Sequence, residues 1–141
     1  MKAQRDGDAH GHPQPDNSPP QLGSILPLSF YSRPADQVAP DLLGAWLVVS
    51  EQGGGAHAQG LARVGRIVET EAYLGEADLA CHAAKGLTKR TATIYGEPGT
   101  AYVYLIYGMY DMFNVVAQES GVPHAVLVRA VELGGAVDAG V

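Results

Sequence analysis

Glu69, Glu71, Tyr73 and His82 are the side chains of this 141-residue chain whose types and spacing could do chemistry together. The first three alternate along GRIVETEAY (residues 65–73), where Ile67, Val68 and Thr70 favour extended backbone. Strand side chains point alternately to two faces. Ile67, Glu69, Glu71 and Tyr73 are therefore expected on one side, with Arg66, Val68, Thr70 and Ala72 on the other. Two carboxylates and a phenol then share a face, just before a glycine-containing turn and a lone histidine. A solvent-facing strand edge could carry the same letters. A half-buried face would instead give a poised carboxylate beside an aromatic wall and a histidine, a starting point for hydrolysis.

Further along, Lys85, Lys89 and Arg90 cluster in a polar, turn-rich stretch. Such a loop could take phosphates, or could simply be solvated. TAYVYLIY (Thr100–Tyr107) has the strongest strand pattern, with Tyr102, Tyr104 and Ile106 on one face and Val103, Leu105 and Tyr107 on the other. Tyr107-Gly108-Met109-Tyr110 is expected to turn the chain into a second strand, Met112–Ala117, making a β-hairpin with an aromatic near its tip. Tyrosines inside strands are ordinary packing residues, but one at a hairpin tip suggests a wedge or stacking platform. The last strand, Ala125–Leu133, sets Arg129 among apolar neighbours. A buried arginine there needs a carboxylate or phosphate partner, whereas an edge arginine would snorkel to water.

Other elements must position these groups. Asp36–Gly44 reads as a short helix stopped by Gly44, and Pro40 inside it implies a late start or a bend. Ala45–Ser50 reads as a strand, Glu51–Gly60 as a glycine-rich loop, and Leu61–Tyr73 as a long strand. Met1–Pro20 lacks apolar periodicity and is expected to be a disordered tail, with a single folded domain over residues 22–141. His10 and His12 lack further ligands at useful spacing, so no metal site is expected.

Composition narrows the function classes. A formal net charge of −6 argues against a generally basic, non-specific nucleic-acid binder, though not against a local basic strip. Cys81 is the only cysteine, so no intramolecular disulfide framework exists and the reducing cytosol is the expected compartment. No basic-then-apolar leader and no membrane-length apolar run is evident, so a non-secreted chain with no membrane partner is expected.

GRIVETEAY, the histidine of ACHAAKG, the PGTAYVYLIYGMY hairpin followed by FN, and VLVRA together resemble the alkyladenine (3-methyladenine) DNA glycosylase family. LPLSFYSRP and DLLG resemble that family's domain start, and the likeness runs from about Leu26 to Leu133 in matching order. The resemblance implies an α+β single mixed domain, with a curved, mostly antiparallel sheet, short flanking helices and a protruding hairpin. It also implies a base-excision repair enzyme acting as a monomer on double-stranded DNA containing damaged purines, in the cytoplasm beside the nucleoid. Glu71 matches the general base that activates water, and Arg129 the arginine that helps hold that water. Tyr73, His82 and Tyr104 match the walls of the base pocket, and Asn114 a pocket residue that disfavours normal purines. Tyr107 matches the residue that fills the gap in the duplex, with Met109 beside it, and Lys85, Lys89 and Arg90 are the DNA-binding candidates of the neighbouring loop. None of Lys2, Lys85 and Lys89 matches a family nucleophile, which implies direct water attack without strand cleavage and without cofactor or metal.

Two departures bear on activity. The loop after the histidine is less basic than the family's usual one. Members also continue well beyond the VLVRA strand, whereas this chain ends in GGAVDAGV, so a C-terminally truncated domain with open sheet edges is expected. Two alternatives stay open: a non-catalytic remnant that binds damaged DNA through Tyr107 and the basic loop, and a sugar hydrolase or carbohydrate-binding module. The latter would want a second carboxylate across a cleft, whereas Glu69 and Glu71 lie on one strand.

Overall fold

The computed structural model describes residues 22–50 and 61–138; the tail expected over Met1–Pro20 and the glycine loop expected over 51–60 lie outside them. Period-two patterning produces five strands: β1 (Trp46–Ser50), β2 (Leu61–Tyr73), β3 (Ala101–Ile106), β4 (Tyr110–Ala117) and β5 (His124–Asp138). They form one sheet in the order β1-β2-β5-β4-β3, antiparallel at every pairing. Two short helices, α1 (Leu28–Tyr31) and α2 (Ala35–Asp41), and three single 3₁₀ turns complete the α+β fold expected from the sequence. β5 is longer than the apolar run alone predicts, because it pairs with β2 as far as Leu61–Asp138.

One sheet face carries the helices. Ala35, Val38 and Ala39 of α2, with Leu42 capping its end, pack on Ile67, Val115, Ala117 and Val126, which forms the main core. Pro40 neither delays nor prevents the helix, which begins at Ala35 directly after Pro34. Its position in the last turn means that the missing N–H removes only one terminal bond. Thr70 Oγ1 donates to the Ala39 carbonyl at 2.9 Å, satisfying one of the acceptors left over at the helix end. Gly44, at φ +85°, then turns the chain so that its N–H reaches the Ile67 carbonyl at 2.8 Å.

The expected face of Ile67 is corrected by the structure. Ile67 opposes Val131 and Glu69 opposes Ala130, so Val68 is an extra residue on β2. This bulge resets the alternation: Ile67 lies in the helix-side core, the side to which Thr70 also turns, while Glu71 and Tyr73 look the other way. On that second face, Tyr102 and Val116 pack with Ile94 and Ala125 in a smaller core. The sheet edges are β1 and β3, where Val48, Val49, Val103 and Leu105 remain about half-exposed.

Candidate active site

A second irregularity brings the first catalytic candidates together. Thr70 opposes Val128 immediately after Glu69 opposes Ala130, which leaves Arg129 as the extra residue on β5. Bulges re-aim side chains, and here Arg129 Nε donates to Glu71 Oε1 at 3.2 Å. The other carboxylate oxygen, Oε2, accepts from the Tyr73 hydroxyl at 2.7 Å. Glu71 and Arg129 side chains are 42% and 46% exposed, so this is a half-solvated pair that water can reach. Burial, followed by the hydrogen bond to Glu71, raises the Tyr73 phenol's pKa, so Tyr73 is a donor throughout the physiological range.

Beside this cluster Tyr73, His82, Tyr104 and Asn114 line one recess with Ala80, Cys81, Ile94, Tyr102 and Ala125. The expected pocket residues therefore converge although they come from β2, a 3₁₀ turn (His82–Lys85), β3 and β4. The His82 and Tyr104 rings are 4.2 Å apart between centroids at 53°, and the recess holds only about 20 Å³. That is room for one water. A planar aromatic ligand could enter only if the two rings part. Asn114 is 2% exposed, and its amide donates to the backbone carbonyls of Tyr102 (3.3 Å) and Met112 (3.1 Å). These bonds lock the wall from behind.

The basic loop lies on the outer side of His82. Lys85 and Arg90 line a cleft of about 380 Å³ with Leu79, Ala84, Thr88 and Thr91, and Lys89 is exposed outside that lining. Thr91 is buried and organises the loop: its Oγ1 donates to the Gly86 carbonyl at 3.0 Å and accepts from the Thr88 N–H at 2.8 Å. Burial, then the charges of Arg90 and Lys85, hold the pKa of His82 below its usual range.

Tyr107 and Met109 stand apart at the hairpin tip, 87% and 68% exposed. The Met109 N–H closes the turn on the Ile106 carbonyl at 3.1 Å, with Tyr107 and Gly108 at φ +50° and +69°. A turn with two positive φ values suits Gly or Asn. A tyrosine there is an outlier of the kind that accompanies function.

Sequence reasoning missed Tyr102 as a site residue. Its hydroxyl lies 3.1 Å from His82 Nδ1. The signal was present, since Tyr102 and Tyr104 share a face in AYVYLI, but nothing local linked either to His82. Among the described residues no cluster of three or more His, Cys, Asp or Glu could hold a metal, and no helix is long and apolar enough to cross a membrane.

Comparison with known proteins adds an independent observation. Residues 29–139 match the family described as Methylpurine-DNA glycosylase (MPG). A protein of Myxococcus xanthus provisionally named 3-methyladenine DNA glycosylase is 64% identical over 107 residues, covering 76% of this chain and 52% of its own length. Counterparts with the same provisional name from Legionella pneumophila (strain Lens) and Methanocella arvoryzae are 56% and 54% identical, over 76% and 77% of this chain and 55% and 50% of theirs. The chain spans about half the length of these curated relatives.

Proposed function

Because this chain belongs to the methylpurine-DNA glycosylase family, we propose that it hydrolyses the N-glycosidic bond of alkylated purines of the 3-methyladenine type in double-stranded DNA, as a monofunctional base-excision enzyme. The observation that carries this reading is the Arg129–Glu71–Tyr73 cluster, which adjoins through Tyr73 a recess also lined by His82, Tyr104 and Asn114. Cleavage of an N-glycosidic bond builds positive charge on the sugar. A carboxylate beside it stabilises that charge and accepts a proton from the attacking water. Glu71 takes this role, and Arg129, which already bonds Oε1, orients the carboxylate and the water beside it.

The target base is out of reach inside a duplex and must be rotated out of the stack. Tyr73, His82 and Tyr104 then supply faces for an electron-poor alkylated purine, which attracts aromatic rings electrostatically. Asn114 screens the base edge against normal purines. Tyr107, exposed at the hairpin tip beside Met109, fills the vacated space. Lys85, Lys89 and Arg90 meet the phosphates, as the cleft lined by Lys85 and Arg90 permits. The same reading makes the chain a monomer working in the cytoplasm beside the nucleoid.

A second reading, a non-catalytic remnant that binds damaged DNA, draws on the exposed Tyr107 at the hairpin tip and the cleft lined by Lys85 and Arg90, which could hold DNA whether or not Glu71 acts. Single-turnover release of 3-methyladenine from alkylated duplex DNA separates the two. Release by the native chain and its loss in Glu71→Gln, with duplex binding kept, establishes the enzyme. Binding by both proteins without release from either establishes the remnant.

A further inference from the structure

Glu71 accepts the proton in the proposed reaction, yet its side chain is 42% exposed and sits on a flexible stem. Left to itself, such a carboxylate samples many orientations, and fixing one of them costs entropy. Two neighbours restrain it at its two ends. Arg129 Nε holds Oε1 at 3.2 Å, and the Tyr73 hydroxyl holds Oε2 at 2.7 Å. The phenol bond is the shorter, and hydrogen bonds to an ionised oxygen are about twice as strong as those between neutral groups.

The strand fixes this contact. Glu71 and Tyr73 lie two residues apart on one face of β2, opposite Leu127 and Ala125 of β5. Ladder pairing on both residues sets the separation of their backbones, so the phenol needs no loop movement to reach the carboxylate. Burial, followed by the bond to Glu71, raises the phenol's pKa, so the hydroxyl keeps its proton and donates. The same side chain lines the recess with His82 and Tyr104. Stacking on a base needs only the ring, and phenylalanine would serve that purpose equally. The hydroxyl is surplus to it.

We propose that Tyr73 is a positioning residue: its hydroxyl fixes Oε2 and, with Arg129 on Oε1, sets the plane in which Glu71 meets the attacking water. The consequence for rate rests on the glycosylase reading, whereas the restraint on Glu71 rests on geometry alone. In the reaction the water oxygen bonds to the sugar carbon, and the electron pair of the carbon–nitrogen bond leaves with the alkylated purine. The proton of the water passes to the Glu71 carboxylate. A carboxylate already held in place accepts it without reorganising. One side chain thereby places both the base, through its ring, and the catalytic carboxylate, through its hydroxyl.

Tyr73→Phe keeps the ring and removes only the hydroxyl. The first readout is independent of catalysis: hydrogen exchange at the Arg129 Nε–H, followed in proton–nitrogen spectra of the whole chain labelled with ¹⁵N-arginine. Arg129→Lys identifies the signal by its absence. A carboxylate held by Tyr73 stays on Arg129, so this exchange should be several-fold faster in Tyr73→Phe than in the native chain. The second readout is single-turnover release of 3-methyladenine from alkylated duplex DNA. The rate at saturation should fall about tenfold or more, the size of a lost hydrogen bond to a charged group. The protein concentration giving half-saturation should stay unchanged, because the ring remains. Unchanged Arg129 exchange overturns the proposal, as does release by Tyr73→Phe at the native rate or a loss confined to half-saturation. A native chain that releases no base refutes the enzyme reading, and the exchange comparison still decides whether Tyr73 restrains Glu71.

Discussion

Replacing Tyr107 by glycine should separate stability from function at the hairpin tip. Tyr107 adopts φ +50° and is 87% exposed, so its side chain stabilises the folded chain little while its backbone is strained. The left-handed conformation disfavours an L-residue by about 1–2 kcal/mol. Glycine removes that strain, and its greater freedom in the unfolded chain takes back about 0.5–1 kcal/mol. With almost no buried surface lost, Tyr107→Gly should be as stable as the native chain or about 1 kcal/mol more stable. Urea unfolding followed by tryptophan fluorescence reads this directly, because Trp46 is the only tryptophan and packs on Val64 and Ala62. The slope against urea should stay unchanged. On the proposed function, in which Tyr107 fills the gap left by the extruded nucleotide, base release from duplex DNA should fall in the same variant. A loss of more than 1 kcal/mol would show that Tyr107 packs within the fold, and undiminished duplex release would refute its role as a wedge.

Other outcomes follow from the same geometry. A double-mutant cycle on Glu71→Gln and Arg129→Gln should give a stability coupling of only about 0.2–1 kcal/mol, because a half-exposed pair is screened by water and salt. A coupling above about 3 kcal/mol in urea would mark the pair as a structural bridge instead of a reactive one. Stability should also fall as pH drops below the ordinary histidine value. His82 and His124 both have depressed pKa values in the folded chain, mainly through burial, so the unfolded chain takes up protons first. His124 Nδ1 accepts the Ala35 N–H at 3.3 Å, a bond that protonation at Nδ1 would break. The urea midpoint should therefore decline from about pH 6.5 downwards, and a midpoint that is flat or rising towards pH 5 would contradict the assignment.

Much of the fold was legible because its rules are local. Alternation marked out AYVYLI and MFNVVA as strands, and Gly108 with its neighbours marked the turn between them. Those same rules put Tyr102 with Tyr104, and Glu71 with Tyr73, on common faces. The family likeness then assigned roles to Glu71, Arg129, His82 and Asn114 that no spacing could have supplied.

What the sequence by itself determined is thus the set of strands, the hairpin and the neighbours two residues apart, all consequences of backbone geometry within a few residues. Tertiary structure alone decided the rest. The extra residue Val68 on β2 moved Ile67 into the helix-side core, and the extra residue Arg129 on β5 met Glu71 from a strand far along the chain. Such bulges exist only in the register between two strands, so one strand read alone cannot announce them. Likewise His82 meets Tyr102 and Tyr104 only once the loop after β2 has folded back over β3, a closure governed by packing between distant segments.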